Sequence, residues 1–520
     1  MTLYDRGRAR RSLFDTITYR VLSQVATILG YVVLVRTLSK TDFGIFNLMY
    51  SFIPLVGTLV SLGLEQTLRR FQPEFLRQER FAAAAWLVKR VAAARFATNT
   101  VILFVVLLIW NRVAPHFGLG PYRGEFAILC VLVILHFQSQ ILQLSMASHM
   151  LHRFSVGSIA ILSFGKLIWY SLLAAAGMLS LRTALCADTI AYAFVYLFLR
   201  EAYRRHCGAA DTREIYRPPP VERKRLVRYA LFNNFNDAGT LFLDSRIDNF
   251  FIAAFMNAVS VGIYSFYTRL NEMATNILPV RLFENIIQPM FFAVETKDAD
   301  TRLPQYFTFL LNTNLLFQWP MVAFAVVYHA DIVHVVFGGK FIEQSWLLPI
   351  VLAFSTVNCF ATPVSLVAQY EEKAHVQLLS KLFAGYNIIA MLLSIPYIGL
   401  YGAALAGGSA QVLKNLFVWW HVRRRAVWIN ARSSIAFSLL IWGGAVGICY
   451  ALKVLLPIQS ALQLGMGILV FSCIALISVR SPVLCASDRE VFHRLFEGRE
   501  TRLLKWLGVL GPRTCASSAH

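Results

Sequence analysis

Runs of apolar residues, each near the length that crosses a bilayer, alternate along the chain with short polar segments. Fourteen runs can be separated: residues 16–36, 43–64, 88–110, 125–148, 156–179, 183–200, 229–256, 259–291, 306–328, 346–369, 377–397, 401–421, 434–455 and 459–479. About 20 residues at 1.5 Å per residue span the hydrocarbon core, so this pattern predicts an all-α polytopic membrane protein with about 14 transmembrane helices. Charge interrupts several runs, notably 16–36 and 259–291. Pro279, Pro289 and Pro320 fall inside runs and are expected to kink them.

The run at 229–256 is the most polar. On one continuous helix Asn233, Asp237, Thr240, Asp244 and Asp248 would fall at i, i+4, i+7, i+11 and i+15, a single stripe, with Phe232, Phe235, Phe242 and Phe250 on other faces. Asp237, Asp244, Asp248 and Arg246 at membrane depth would each cost at least about 2.5–3.5 kcal/mol unless a partner or water meets them. The stripe is therefore expected to face other helices or a wet cavity. Asp244, Arg246 and Asp248 suit either a transport role or pairing between helices, and sequence alone leaves open whether an acid there exchanges a proton.

Charge fixes the expected topology. The formal net charge is +21, and with an inside N-terminus the basic residues concentrate on one side. Inside fall Arg6, Arg8, Arg10 and Arg11, then Arg69, Arg70, Arg77, Arg80, Lys89 and Arg90, a dense run over 200–228, and Arg423, Arg424, Arg425 and Arg432. Seven more basic residues follow from Arg480 onward, whereas the outside loops hold only Arg36, Lys40, Arg112, Arg123, Arg182 and Lys340. Both termini are thus expected in the cytoplasm, and the positive charge is explained without nucleic acid. Hydrophobic residues make up 57% of the chain, which excludes an ordinary soluble domain. The eight cysteines form no C-x-x-C and read as packing residues. No cleavage site follows the first run, which reads as an uncleaved span. No phosphate-binding G-x-x-x-x-G-K-[ST] occurs, so transport would be driven without ATP, and the short outside loops leave no room for a catalytic domain.

The chain also repeats itself. Phe43-Gly44-Ile45-Phe46 and Val261-Gly262-Ile263-Tyr264 are 218 residues apart, and Ala184-Leu185 and Ala404-Leu405 are 220 apart, as are Arg204-Arg205 and Arg424-Arg425. Six spans per unit give two lobes of one orientation, a parallel repeat. The expected organisation is a basic N-terminus at 1–15, a first lobe at 16–200, a proline-containing linker at 201–228 and a second lobe at 229–421. Two further spans at 434–479 and a basic amphipathic cytoplasmic tail at 480–520 complete it. In that tail Ser487-Asp488-Arg489-Glu490 resembles a capping box, and the apolar positions that follow suggest a helix lying on the inner leaflet.

Other polar positions extend the picture. Arg20, Gln24, Thr27 and Tyr31 form a second stripe, and Arg95, Lys166, Lys381 and Lys414 are basic residues within or near membrane depth. Arg269 with Glu272 and Arg281 with Glu284 are each three apart and can neutralise one another on one helix face. Arg20, Arg36 and Lys414 lie near span ends, where snorkelling to headgroups is an equal reading. His136 reads as a packed residue rather than a proton relay. If the lobes face each other, Arg20, Gln24, Arg95, Lys166, Arg246, Arg269, Lys381 and Lys414 would line a cleft of cationic bias suited to a pyrophosphate.

Arg36-Thr37-Leu38-Ser39-Lys40-Thr41-Asp42-Phe43-Gly44-Ile45-Phe46, running into Gly63-Leu64-Glu65, resembles the opening of the polysaccharide or O-antigen flippases of the multidrug/oligosaccharidyl-lipid/polysaccharide exporter superfamily. Asp248 followed by Gly262 and Tyr264, Phe337-Gly338-Gly339-Lys340-Phe341 and Gly402-Ala403-Ala404-Leu405-Ala406 are similar to later family signatures, over residues 13–480. The family often has a basic residue directly after the span-seven acid, where this chain has Asn249, with Arg246 two positions before the acid. The resemblance implies two six-helix lobes around a cavity opening alternately to each side, and transfer of an undecaprenyl-pyrophosphate-linked oligosaccharide from the inner to the outer leaflet of a bacterial plasma membrane. It implies no bound cofactor, coupling to a proton or sodium gradient with Asp237, Asp244 and Asp248 as candidates, and a glycan polymerase and chain-length regulator as partners. Spans thirteen and fourteen would form a groove for the lipid tail. A multidrug or small-cation exporter of the same superfamily, a membrane glycan polymerase or ligase, and a membrane scaffold are the competing readings.

Overall fold

The computed structural model describes residues 6–59, 61–207, 216, 218–241, 243–276, 294, 298–423, 431–456, 459–480, 483–484 and 486–495. Among these the secondary structure is helical, with no strand. Ten helical segments are long and apolar enough to cross a membrane, Thr18–Thr37 being the first and Ser460–Ser478 the last. The helices bear large apolar side chains on their outer faces, such as Phe104 and Leu108, Phe194 and Leu197, Leu440 and Ile477. Such faces suit acyl chains and would drive aggregation in water. The chain is a multi-pass membrane protein.

Contacts divide the chain into two compact units, Met1–Phe266 with Met391–Ala403, and Tyr267–Ala390 with Ala404–His520. In the first unit α1 (Arg6–Thr37) packs along α8 (His152–Ala175), where Gly30 allows close approach to Leu167 and Thr27 Oγ1 donates to Ser163 Oγ at 3.0 Å. The same unit holds α2 (Lys40–Tyr50), α3 (Phe52–Leu59), α4 (Leu64–Arg77), α5 (Phe81–Leu108), α6 (Trp110–Val113), α7 (Arg123–Ser148) and α9 (Leu181–His206). It also contains α10 (Pro220–Leu241), α11 (Ser245–Phe255) and the first half of α12 (Ala258–Asn276).

The expected single span at 43–64 is two helices. Pro54 has no N–H to give the Tyr50 carbonyl, and the run breaks at Ser51. It ends at Leu62 and Gly63, both with positive φ. Gly63 is required twice over: its φ of +64° suits glycine, and a Cβ there would lie 1.9 Å from the Ala230 carbonyl oxygen of α10. The stripe expected on one continuous helix over 229–256 also needs correction. The chain leaves α10 at Leu241, and Asp244 caps the next helix, its side chain accepting from the Arg246 N–H at 2.9 Å. A short acid that binds its own downstream backbone favours a new N-terminus over continued helix, so the stripe is split between α10 and α11.

The repeated glycines meet. Gly44 of α2 and Gly262 of α12 lie at a helix crossing so close that a Cβ on Gly44 would fall 1.8 Å from the Ala258 carbonyl oxygen, and one on Gly262 3.1 Å from Gly44 Cα. Ala258 and Gly262 are four apart on one face, the small-residue spacing that lets membrane helices approach backbone to backbone.

In the second unit α13 (Ala299–Phe337) is the central helix, and α14 (Leu347–Val357), α15 (Ala361–Tyr370), α18 (Ala431–Leu455), α19 (Ser460–Arg480) and α20 (Ala486–Leu495) pack on it. The intervening α16 (Ala374–Leu379) leads to α17 (Phe383–Val422), of which Met391–Ala403 belongs to the first unit; within that stretch it is bent at Gly399, with φ 56° and ψ −132°. Ser394 and Gly402 are eight residues apart, about 12 Å in a straight helix, yet a Cβ on Gly402 would lie 2.7 Å from the Ser394 backbone. The chain therefore turns back there, at the expected boundary between 377–397 and 401–421. The tail helix departs from expectation: Asp488 is buried and accepts from Asn312 Nδ2 at 2.7 Å, and Val491 joins the core of α13, so this stretch docks on its own unit rather than capping a free helix. Arg281, Glu284, Pro279, Pro289 and residues 496–520 lie outside the described residues.

Candidate functional site

Within the first unit α3, α4, α7 and α11 enclose a polar cavity of about 290 Å³, lined by Thr58, Ser61, Glu65, Gln66, His136, Phe137, Gln140 and Arg246. Its inner wall is built around a fully buried arginine. Arg95 of α5 donates from Nη2 to the Gly57 carbonyl at 2.8 Å, pairs with Glu65 at 3.5 Å and places its guanidinium 4.1 Å from the centre of the Phe137 ring. Gly57 makes this geometry possible, because a Cβ there would sit 2.9 Å from the Phe137 ring. A buried guanidinium is tolerated only with such partners. Its Nε and Nη1, together with His136 Nδ1 and Gln140 Oε1, are buried without a hydrogen-bond partner among the described residues. Unmatched donors and acceptors around a polar void are the chemistry of a site that receives water or a polar ligand. His136 was expected to be merely packed; its ring does contact Phe137 and Tyr192, but it also lines the cavity and lies within electrostatic reach of Arg95, Lys166 and Arg246.

A second polar cluster lies between α2, α8 and α9. The fully buried Asp188 accepts from the Tyr50 hydroxyl, from the Tyr170 hydroxyl at 2.6 Å and from the Lys166 ammonium at 3.1 Å. Lys166 also donates to the Tyr50 hydroxyl at 3.2 Å and sits 5.0 Å from the Tyr192 ring centre. Sequence reasoning singled out Lys166 and missed Asp188, Glu65 and Gln140. The signal was present: Asp188 is an acid within an apolar span, and such a residue needs an internal partner.

The remaining candidates are spread out. Arg246 lines the cavity from the first turn of α11. Asp248, one turn on from the Asp244 cap, is buried and accepts from the Tyr264 hydroxyl at 2.7 Å, while Asn249 donates to Ser51 Oγ at 2.9 Å and accepts from Ser265 Oγ at 3.0 Å. The side chain of Asp237 on α10 lies outside the described residues. On α1 Arg20 is exposed and Gln24 half-buried. In the second unit Arg269 pairs with Glu272 at 2.7 Å, and Lys381 and Lys414 are half-buried, the first in the turn before α17 and the second within it. This unit has its own pocket, of about 420 Å³ and apolar, lined by Pro320, Met321, Phe324, Leu352, Ile468 and Phe471 from α13, α14 and α19. Beside it Lys453 pairs with Asp331 under the Tyr328 ring.

Solved structures with the same fold include an inward closed form of the lipid II flippase MurJ, with a TM-score of 0.64 at 12% identity over 90% of this chain and 98% of that one. An inward-facing multidrug resistance MATE family transporter of the MOP superfamily has a TM-score of 0.63 at 12% identity, covering 80% of this chain and 98% of its own. A MATE transporter in its bent conformation follows at 0.52, also at 12% identity, over 81% and 98%. No curated protein sequence matches the chain. The model of one family, described as polysaccharide biosynthesis protein, matches residues 33–346. With its glycine-paired helix crossing, its arginine-lined polar cavity and its membrane spans arranged on the MOP transporter fold, this chain belongs to the polysaccharide biosynthesis protein family.

Proposed function

We propose that this protein is a non-ATP-driven flippase that carries an undecaprenyl-pyrophosphate-linked oligosaccharide from the inner to the outer leaflet of a bacterial plasma membrane, by alternating access, for surface polysaccharide assembly. The observation that carries the reading is a polar cavity within a membrane-spanning unit that Arg246 lines and that the buried Arg95 backs, through its bond to the Gly57 carbonyl of the cavity wall. Guanidinium groups bind phosphate oxygens with directed, charge-assisted hydrogen bonds, and Arg246 brings one to the cavity lining. An apolar pocket beside α19 suits a polyprenyl chain. The likeness to a lipid II flippase supports a lipid-linked guest, and family membership supports polysaccharide precursors. Both termini are cytoplasmic in this reading. Gradient coupling would fall to intramembrane acids, with Asp188 joining Asp237, Asp244 and Asp248 as candidates.

The test is Arg246→Ala, with Arg246→Lys as the milder change, in a flippase-deficient strain. Loss of one charge-assisted contact of about 1.5–3 kcal/mol predicts roughly a tenfold or greater fall in export, with unchanged protein in the membrane and lipid-linked glycan accumulating on the inner leaflet. Full export by Arg246→Ala would overturn the role of the cavity. Glycan that reaches the outer leaflet with only its polymer length altered would favour a polymerase instead.

A further inference from the structure

A second cationic feature lies away from this cavity, in a groove of about 690 Å³ on the first unit between α4 and α10. Arg70, Lys224, Arg225 and Arg228 surround it, and Phe71, Tyr229 and Val221 supply its apolar surface. Two of the four cations are committed: Glu74 pairs with Arg70 at 3.0 Å and with Arg225 through two contacts of 3.0 and 3.2 Å. Lys224 and Arg228 make no ion pair among the described residues. The guanidinium of Arg225 rests 4.8 Å from the centre of the Phe71 ring, which packs edge-on against Tyr229 at 5.2 Å.

The groove lies at the level where the spans end. The cluster beneath it joins Phe71 and Phe75 to residues at the start of α5 (Ala83, Ala84), near the end of α7 (Ile141, Leu144) and near the end of α9 (Tyr203). Along α10 the cations share the helix with Val221, Val227 and Leu231, all strongly exposed, Val221 at 81%. A topogenic cluster of arginines needs only charge. This one is concave, has an aromatic floor, holds two cations without an ion pair among the described residues and stands beside exposed aliphatic side chains, features that fit an anion with hydrocarbon attached. We propose that this groove binds the headgroup of one anionic phospholipid, with Lys224 and Arg228 on the phosphate and Val227 and Leu231, further along α10, against the acyl chains. It is distinct from the cavity proposed for the transported glycan and does not depend on it.

Native mass spectrometry of the full chain released from nanodiscs tests this by counting retained lipids. From discs of mixed phosphatidylglycerol and phosphatidylethanolamine, the parent protein should keep one phosphatidylglycerol that the Lys224→Gln/Arg228→Gln double variant holds about thirtyfold less tightly, as expected for two cations removed from the headgroup plane. The exchange Lys224→Arg/Arg228→Lys should retain it, and Val221→Glu, which sets a carboxylate at the groove, should lose it. Val221, Lys224 and Arg228 are all exposed on α10, so folding is not at stake. A parallel arm titrates inorganic pyrophosphate into phosphatidylcholine discs. Equal retention by the double variant would overturn the site. Displacement of the lipid by millimolar pyrophosphate, or tight pyrophosphate binding without anionic lipid, would mark it as a site for free phosphate anions and overturn the lipid assignment.

Discussion

Gly44→Ala adds one methyl group at the closest helix approach in the first unit. The new Cβ would lie 1.8 Å from the Ala258 carbonyl oxygen and 2.5 Å from its carbon. Carbon and oxygen rest at about 3.3 Å or more even in the close contacts between helices, so α2 and α12 must separate by about 1.5 Å. Neither obstacle is a side-chain end that can rotate away. Overpacking of this kind costs about 1–3 kcal/mol, and here the backbone identity of the clash argues for the upper part of that range. The reciprocal change is gentler. A Cβ on Gly262 meets Gly44 Cα and N at 3.1 Å and Phe43 Cδ1 at 3.3 Å, contacts relieved by a few tenths of an ångström. Gly443 and Gly444 on α18 face open space and serve as controls, where alanine raises helix propensity by up to about 1 kcal/mol.

The assay is thermal denaturation of the purified protein in detergent, followed by fluorescence-detected size exclusion. With about 2 °C per kcal/mol as an upper scale for a long chain, Gly44→Ala should lower the midpoint by about 2–6 °C and Gly262→Ala by less. Gly443→Ala should leave it unchanged or slightly raised. Export in the complementation strain should follow the same order. Equal midpoints for Gly44→Ala and Gly443→Ala would refute the crossing, and a larger effect at Gly262 than at Gly44 would refute its geometry.

Asp188→Leu leaves the Lys166 ammonium half-buried beside two tyrosines, so a loss of about 3–5 kcal/mol is expected, as for one partner removed from a buried pair. Asp188→Leu/Lys166→Met should recover most of that stability, and a double variant no better than the single would show that the pair is not the source. At the membrane boundary Arg80 donates to Glu222 at 2.9 Å and to the Tyr216 hydroxyl at 2.5 Å, and Tyr216 donates to Glu222 at 3.0 Å. Burial first, and then the Glu222 carboxylate, push the Tyr216 phenol above its ordinary value of 10.0. A raised phenol favours its neutral form in the fold. Its contribution is therefore complete below pH 10 and is lost as pH rises through the higher folded value. Tyr216 packs on Trp86 at 5.9 Å, so tryptophan emission should be flat from neutral pH to about 9 and change above 10 in the parent but not in Tyr216→Phe; a change near pH 7 would refute the assignment.

What the sequence made legible follows from how strongly each feature is enforced. Span positions were readable because a bilayer punishes every polar backbone exposed to it, and eleven of the expected runs reappear within ten long apolar helical segments. The repeat was readable because it fixes glycines, and the structure supplies the reason: Gly44 and Gly262 are the two copies of one motif, pressed together where no side chain fits. Breaks within runs were not legible from hydropathy, which is blind to the caps and missing donors that cause them. Asp244 starts a helix and the missing N–H of Pro54 ends one, each inside a window that averages as apolar.

The interior polar groups divide along the same line. Periodicity identified which residues would be costly on a span but not which would meet, because a stripe gives a direction only while its helix is continuous. Once α10 and α11 are separate, Asp248 turns to Tyr264 while Arg246, two residues earlier, faces the cavity with His136 and Glu65. The partners that neutralise Arg95 and Lys166 come from 30 and 22 residues away in sequence, on other helices, and each is a lone acid in an unremarkable run. The economical rule for such chains is to pair first: every intramembrane cation needs an acid or a carbonyl, and the arginine whose donors outnumber its protein partners is the one positioned for a ligand. By that rule Lys166 is satisfied, whereas Arg95 keeps Nε and Nη1 unmatched among the described residues.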